Sequence, residues 1–475
     1  MLPHFFVIVA LFLGCMPSHA DFRYPAVAGQ FYPASPLTLK KDIDQYLASV
    51  PEAKQPRDAK IIGMIVPHAG YDFSGQTAAY AYSILKNHPV EVIVIIGPYH
   101  ANEFPGVSIW AQGSWRTPLG EIAIDENLAK SIRSESPDFF YDAQIHTLEH
   151  SLEVQIPFIQ VVANGAKIVP ILISDMAYAK PLAQALYKHL QGRSAYVIAS
   201  TDLSHYHPDP TARVIDQKTQ NIFQKLSPSD FRQAYQKKEI ELCGAAAVLT
   251  LLELGELYGH LEFTNLHYEN SGNHIQDKSN VVGYNASLIS LSDKISRENG
   301  DMLLNFARDT LVAYLSKRTI PSFQVVDPIL LQNRAVFVTL RDRLGNLRGC
   351  IGRYVAEEPL YKAVQNMSIE AATQDSRFLP LSLQELDGLS IEISVLDTPV
   401  DLRSANEIIF GSHGVIVSQG RKSGVFLPEV AQEFATKEQF LSELCHQKAD
   451  LPGNCWQNPQ TRIQVFTTQT IDHKK

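Results

Sequence analysis

The chain has 475 residues, with 41 Lys and Arg against 50 Asp and Glu, and a net charge of −9. Hydrophobic residues make up 45% and charged residues 19%, which excludes a disordered or fibrous protein. At roughly 100–200 residues per domain, the length predicts more than one globular domain. The acidic balance leaves nucleic acid out of the expected partners, and five cysteines are too few for a disulfide scaffold.

Residues 1–20 hold no Lys, Arg, Asp or Glu. Residues 5–14 form an apolar run too short to cross a bilayer as a helix, followed by Pro17 and Ser18-His19-Ala20. Small residues at the cleavage positions predict a secretory signal cut after Ala20, hence an exported, periplasmic chain. Its n-region carries only His4 and the amino terminus, with no Lys or Arg. A rival reading takes Cys15 as a lipoprotein acceptor, with Phe12 where Leu is usual; without a signal the chain would be cytoplasmic. No other run reaches the eighteen or so apolar residues of a membrane span, so no transmembrane span is predicted.

Between about residues 61 and 199, strands predicted at 60–66, 91–96, 167–173 and 195–199 alternate with helices at 75–86, 151–163 and 179–190. That alternation predicts βαβ units and a parallel sheet. Helices at 210–225, 228–237 and 245–258 and a strand at 280–290 complete this part. The polar stretch 292–301 marks a boundary. Beyond it come a helix at 302–315, hairpin strands at 335–340 and 347–351 around Gly345-Asn346, and a helix at 359–373. A strand at 390–396 and a pair at 415–418 and 424–427 follow, so short turns join strands and this half reads as α+β. The organisation is a signal at 1–20, a first domain at 21–293 carrying most of the negative charge, and a second at 300–475.

Three histidines fall just after predicted strands: His68 in Val-Pro-His-Ala-Gly-Tyr, His100 in Gly-Pro-Tyr-His and His205 in Ser-Thr-Asp-Leu-Ser-His. Parallel strands end along one edge, where open α/β sheets bind ligands, so three imidazoles sent there can converge on a transition metal. Asp202 stands close enough to ligate or to orient His205, or to cap the next segment. Cys243 precedes a helix, which predicts a lowered thiol pKa; a small buried hydrophobe is the plainer role. His146, Glu149, His150 and Glu153 gather around a helix start and suit proton transfer. His207, His260, His267 and His274 read as surface or loop residues.

Around these residues the chain resembles the Memo family. The motifs are Pro67-His68-Ala69-Gly70-Tyr71, Gly97-Pro98-Tyr99-His100, Thr117-Pro118-Leu119-Gly120, Glu149-His150-Ser151-Leu152-Glu153, Asp202-Leu203-Ser204-His205, Cys243-Gly244 and Val281-Val282-Gly283-Tyr284. They run across residues 22–290. The resemblance implies the α/β fold of the class III extradiol dioxygenases (LigB-like), a parallel sheet with helices on both faces. It also implies iron or copper at His68, His100 and Cys243, with Asp202 and His205 lining the same cleft. The expected metal ligands are thus His68, His100, His205 and Cys243, and the expected catalytic residues there are His150 and Asp202. A thiol beside histidines departs from the facial triad of two histidines and a carboxylate, which points to copper or a redox role rather than ring cleavage.

In the second half Leu347-Arg348-Gly349-Cys350-Ile351-Gly352 places one cysteine between glycines, amid Arg334, Arg341, Arg343, Arg348 and Arg353. Cys350 is either a thiolate nucleophile kept ionised by arginines or a buried small residue beside a solvated face. This half, about 300–470, resembles the AMMECR family through that motif, Asp375-Ser376-Arg377-Phe378, Ile391-Glu392-Ile393-Ser394-Val395-Leu396, Gly411-Ser412-His413-Gly414 and Leu427-Pro428-Glu429-Val430. The two families often accompany a radical-SAM protein, which is therefore an implied partner, although such a protein needs a reducing cytoplasm. Cys445 and Cys455 can pair in an oxidising compartment or stay free. Two functions are in play: a metal-dependent redox enzyme related to non-haem iron dioxygenases, or a non-enzymatic scaffold holding a small molecule or peptide in the same cleft. Zinc hydrolysis with Glu153 or His150 as base ranks lowest, since His-Glu-x-x-His is missing.

Overall fold

The computed structural model describes residues 22–51, 60–86, 88, 90–101, 104–292, 294–402 and 404–472. The signal expected at 1–20 lies outside them. The chain divides after Ser292 into two compact units.

In chain order the first unit begins β1 (Phe22–Arg23), α1 (Pro36–Ala48), β2 (Ile61–Val66), α2 (Tyr71–Leu85), β3 (Val92–Gly97), β4 (Val107–Ile109), β5 (Ser114–Thr117) and β6 (Gly120–Ala123). Next come α3 (Glu126–Arg133), β7 (Phe139–Phe140), α4 (Ala143–Thr147), α5 (Ile156–Val162), β8 (Lys167–Ile173), α6 (Ala179–Leu190) and β9 (Ala195–Ser200). It ends with β10 (His205–His207), α7 (Asp209–Gln224), α8 (Pro228–Gln236), α9 (Ala245–Tyr258), β11 (Leu261–Asn270) and β12 (Val281–Leu291).

The main sheet runs β10-β12-β2-β9-β3-β8-β4-β7, with β11 on β12. Its centre, β2-β9-β3-β8, is parallel. The sequence dictates this: Ile-Ile-Gly-Met-Ile-Val and Val-Ile-Val-Ile-Ile-Gly are unbroken apolar runs, buried at every residue, which fits strands covered on both faces. The flanks are mixed, because β12 returns antiparallel to β2 and β4 antiparallel to β8. α2 starts at Tyr71, ahead of the expected 75, and Gly75 is its contact point with α1. A Cβ there would lie 2.8 Å from the Tyr46 ring. The helix expected at 151–163 is instead a tight turn (Glu153–Gln155) leading into α5, whose first turn accommodates Pro157.

That turn exposes why Glu153 is structural. It is fully buried and paired with Arg23 at 2.6 Å, and it accepts the amides of Ala26 (2.7 Å) and Val27 (3.0 Å) and the Tyr32 hydroxyl (2.6 Å). Arg23 also donates to the carbonyls of His146 (2.8 Å) and Glu149 (2.6 Å) and stacks over Trp115. The expected general base is therefore a buried clasp. His146 is a core residue too, packed on Trp110 and Trp115, with burial holding its pKa down at about 3.

The second unit comprises α10 (Arg297–Lys317), α11 (Pro328–Leu331), β13 (Val336–Arg341), β14 (Leu347–Arg353), α12 (Leu360–Thr373), β15 (Ser390–Leu396) and β16 (Val400–Asp401). It continues with β17 (Gly414–Gln419), β18 (Lys422–Phe426), α13 (Lys437–Glu443), β19 (Arg462–Phe466) and β20 (Thr468–Asp472). Two antiparallel sheets, β14-β13-β15-β20 and β16-β19-β17-β18, make it α+β as expected. The β13–β14 hairpin closes where Asp342 accepts the amides of Leu344 and Asn346 and Gly345 takes φ +85°. Cys445 and Cys455 are joined by a disulfide within the core around Phe440. Among the described residues no helix is long and apolar enough to cross a membrane.

Breaking the clasp should be costly, because Glu153→Gln leaves the Arg23 charge buried without its partner. The first unit should lose about 3–5 kcal/mol in urea denaturation. A loss under about 1 kcal/mol would return Glu153 to the list of candidate bases.

Candidate metal centre

Strands β2, β9 and β3 stand side by side, so their carboxyl ends deliver neighbouring loops to one edge of the sheet. Just past β2 comes His68, just past β9 comes Asp202, and just past β3 comes His100. Cys243 arrives from the loop before α9. The donor atoms of His68, His100 and Cys243 all lie within 4.8 Å of one another, with His68 Nε2 3.2 Å from Cys243 Sγ. His100, Glu149 and His150 form a second, overlapping group. His150 stacks on His100 with centroids 4.5 Å apart and stands edge-on to His68 at 5.5 Å.

His205, the fourth expected ligand, belongs to neither group. The chain leaves β9 and crosses to β10, which pairs with β12 at the far side of β2, and there the His205 amide donates to Glu241. Asp202 does not orient His205 either. Its carboxylate accepts the amide of His68 at 2.8 Å and that of Ala69, and so shapes the loop that carries the first ligand.

Hydrogen-bond accounting fixes which nitrogen each ring presents. Ser200 Oγ has one hydrogen, which goes to the Ser151 carbonyl at 2.7 Å, and it accepts from Gln155 Nε2 at 2.8 Å. Its 3.0 Å contact with His68 Nδ1 therefore has the imidazole as donor, which leaves the Nε2 lone pair facing Cys243. Gln155 is held in that sense because Nε2 also donates to the Pro67 carbonyl while Tyr82 donates to Oε1. Glu149 plays the same part for His100: its carboxylate takes Nδ1–H at 2.9 Å and the His100 amide at 2.7 Å, freeing Nε2. Metal-binding histidines carry this kind of outer partner, so the residues present fit a metal.

The electrostatics match. Burial, reinforced by His100 and His150, lowers His68 well below the usual range, so it is neutral. Burial works against the Glu149 charge, but the His100 hydrogen bond and charge and the Ser151 amide bring it down to about 2. Burial likewise opposes protonation of His100, and Glu149 outweighs it to raise that ring. Asp202 is raised to about 7 by burial despite its two amide donors. Cys243 corrects the expectation of an acidic thiol: burial, then the Asp202 charge, pushes it up to about 12, outweighing the start of α9 nearby.

In the second unit four of the five hairpin arginines have carboxylate neighbours. Arg334 pairs with Asp397, Arg348 with Glu385, Arg353 with Glu370, and Arg341 faces Glu392. Arg377, outside the hairpin, is the arginine that stands beside the Cys350 thiol. Cys350 is half-buried on β14, and its Sγ accepts from Thr339 Oγ1 at 3.2 Å. Its amide donates to Asp375 at 2.8 Å and its carbonyl accepts from Arg377. Ser200, Gln155 and Tyr82 lie within the motifs but suggest no role by themselves, because neutral polar residues carry no chemical signature, and Glu241 goes unnoticed because it follows no strand.

An open α/β sheet with a His-His-Cys cluster at its carboxyl edge defines a candidate metalloprotein, and comparison with known proteins agrees on the fold's kin. The family model described as Memo-like protein matches residues 23–288, and that for AMMECR1 matches residues 304–471. The chain belongs to the Memo-like family and carries an AMMECR1 domain behind it. A MEMO1 family protein of Sulfolobus acidocaldarius is 36% identical over 278 residues, covering 55% of this chain and 97% of that one. Another from Methanobrevibacter smithii is 36% identical over 274 residues, 55% of this chain and 97% of the relative. A crystal structure of an uncharacterized protein from Pyrococcus horikoshii is 34% identical, covers 37% of this chain and 92% of that one, and has a TM-score of 0.35.

Ser200→Ala removes the acceptor of His68 Nδ1–H and with it the fixed tautomer. Metal affinity, measured by chelator competition below the variant's unfolding transition, should fall roughly 10–100-fold, alongside a lower thermal midpoint from the bonds lost at Ser151 and Gln155. Affinity equal to wild type would show that the ring needs no such support. In the second unit the Arg377 hydrogen bond, with the Cys350 amide and against burial, holds Asp375 at about 2. An unfolded carboxyl titrates near ~3.9, so this stabilisation is complete above that pH and lost as pH falls toward 2. Asp375→Asn should therefore flatten the acid limb by on the order of 2 kcal/mol between pH 5 and 2. Superimposable limbs for the two proteins would contradict the assignment.

Proposed function

We propose that the first unit is a metal-dependent redox centre acting on a small organic molecule, with iron or copper held by His68, His100 and Cys243. One observation carries the reading: two imidazole lone pairs, each fixed by an outer hydrogen bond, and one thiol meet within 4.8 Å. Nitrogen and sulfur donors suit iron, copper or zinc and not magnesium or calcium. Iron or copper, when bound, supplies one-electron chemistry; zinc ranks below them, and hydrolysis loses Glu153 as its base.

The chain's own residues contribute positioning and protons. Ser200 and Glu149 hold the two rings, and Asp202 holds the His68 loop. His150, partly open to solvent and leaning on Glu149 at 3.3 Å, is placed to take or give a proton at Nε2 beside a ligand. Export stays part of the proposal, because the Cys445–Cys455 disulfide supports an oxidising compartment. The same bond weighs against a radical-SAM partner, which works in a reducing one.

Full-length protein reconstituted anaerobically with iron(II) or copper should hold stoichiometric metal. The His68→Ala, His100→Ala double variant should hold at least about tenfold less by elemental analysis, with its circular dichroism unchanged. Metal content that survives in the folded double variant overturns the reading.

A further inference from the structure

A cavity of about 340 Å³ opens beside the donor cluster, with His100 and Cys243 in its wall. That volume is at the low end of small-molecule sites. Three aromatic rings, Tyr99, Phe104 and Tyr235, share the lining, with Tyr99 and Phe104 edge-on at 5.7 Å. Among the described residues no Lys or Arg lines it, and the one carboxylate is that of Asp175. Asp175 Oδ1 accepts the Ala177 amide at 2.6 Å, and no cation pairs with this side chain among the described residues.

We propose that this cavity binds a small organic ammonium with an aromatic or apolar body, the ammonium at Asp175 and the body among Tyr99, Phe104 and Tyr235. An unpaired carboxylate attracts a cation, and aromatic faces add cation–π attraction to the same group. Tyr235 belongs to the same corner, since burial and then the charges of Cys243 and Asp175 raise its phenol. The competing attraction is the start of α9, whose first turn also lines the cavity and would favour an anion. A helix end is worth about half a unit charge, against the full charge of Asp175. The amide of Gly244, which caps α9, is already used by Thr201 Oγ1 at 2.8 Å, so the competing donors are the amides of the helix's first turn. The site is defined by the cavity alone and stands whether or not the neighbouring cluster holds metal.

Three probes of one shape separate the cases: phenethylamine, 2-phenylethanol and phenylacetate, titrated calorimetrically into the full chain with and without metal. Phenethylamine should bind at least about fivefold more tightly than either of the others, the size of one exposed charge pair plus a cation–π contact. Asp175→Asn, which keeps the amide cap at Ala177, should erase that preference without moving the thermal midpoint. No binding of the amine, tighter binding of phenylacetate, or an unchanged preference in Asp175→Asn would each overturn the proposal. The titration of the metal-free wild-type chain does not depend on what the donor cluster holds, so the two readings fail separately.

Discussion

Neighbouring strands of a sheet lie about 4.8 Å apart, and that spacing sets everything the first unit can do. With β9 between them, the loops leaving β2 and β3 start roughly 10 Å apart, a gap that two imidazole side chains close from opposite sides. The strand in the middle cannot reach outward without colliding with both, so its end supplies the short supports, Ser200 and Asp202, beneath the rings. Cys243 closes the third side from the helix layer, with its Sγ 3.2 Å from His68 Nε2. Strand order, more than any single residue, decides which side chains become donors and which become props.

One short segment links this edge to the rest of the core. Between residues 146 and 155 successive side chains go to different places. His146 enters the tryptophan core, Glu149 braces His100, and His150 stacks on the site. Ser151 receives Ser200, Glu153 clasps Arg23, and Gln155 returns to Ser200. A regular helix would repeat one face every three to four residues. The turn-then-helix form found here spreads these roles around the chain. Stability and positioning therefore depend on the same ten residues, and a loosened Arg23 clasp is felt at the rings.

The parts legible in the sequence are those where one force dominates. Central strands announce themselves because burial on both faces demands unbroken apolar runs, and His68 and His100 because each follows such a run directly. β10 and β11 were missed, since His205–His207 and Leu261–Asn270 mix polar and apolar residues without a clear period. His205 looked equivalent to the other two histidines, but β10 pairs with β12, and its ring stands near His68 and His100 without joining the donor group. The Cys243 thiol was misjudged in sign because a helix start is visible in sequence and burial beside Asp202 is not. The partners of the hairpin arginines are hidden for a related reason: Glu370 is 17 residues from Arg353, and Asp397 is 63 from Arg334.

The raised thiol and the neutral ring have a common consequence. Isolated buried charges are expensive, and a charge on either His68 or Cys243 in this cleft would have to be compensated. The fold avoids the cost by keeping both groups uncharged: His68 through burial and its neighbours, Cys243 through burial and Asp202. The Glu149 charge is placed where two amides and two imidazoles can share it. The donors are thus held in position by hydrogen bonds behind them rather than by attraction to one another. That arrangement keeps lone pairs aimed inward before any ligand arrives, which is what preorganisation requires of a metal site.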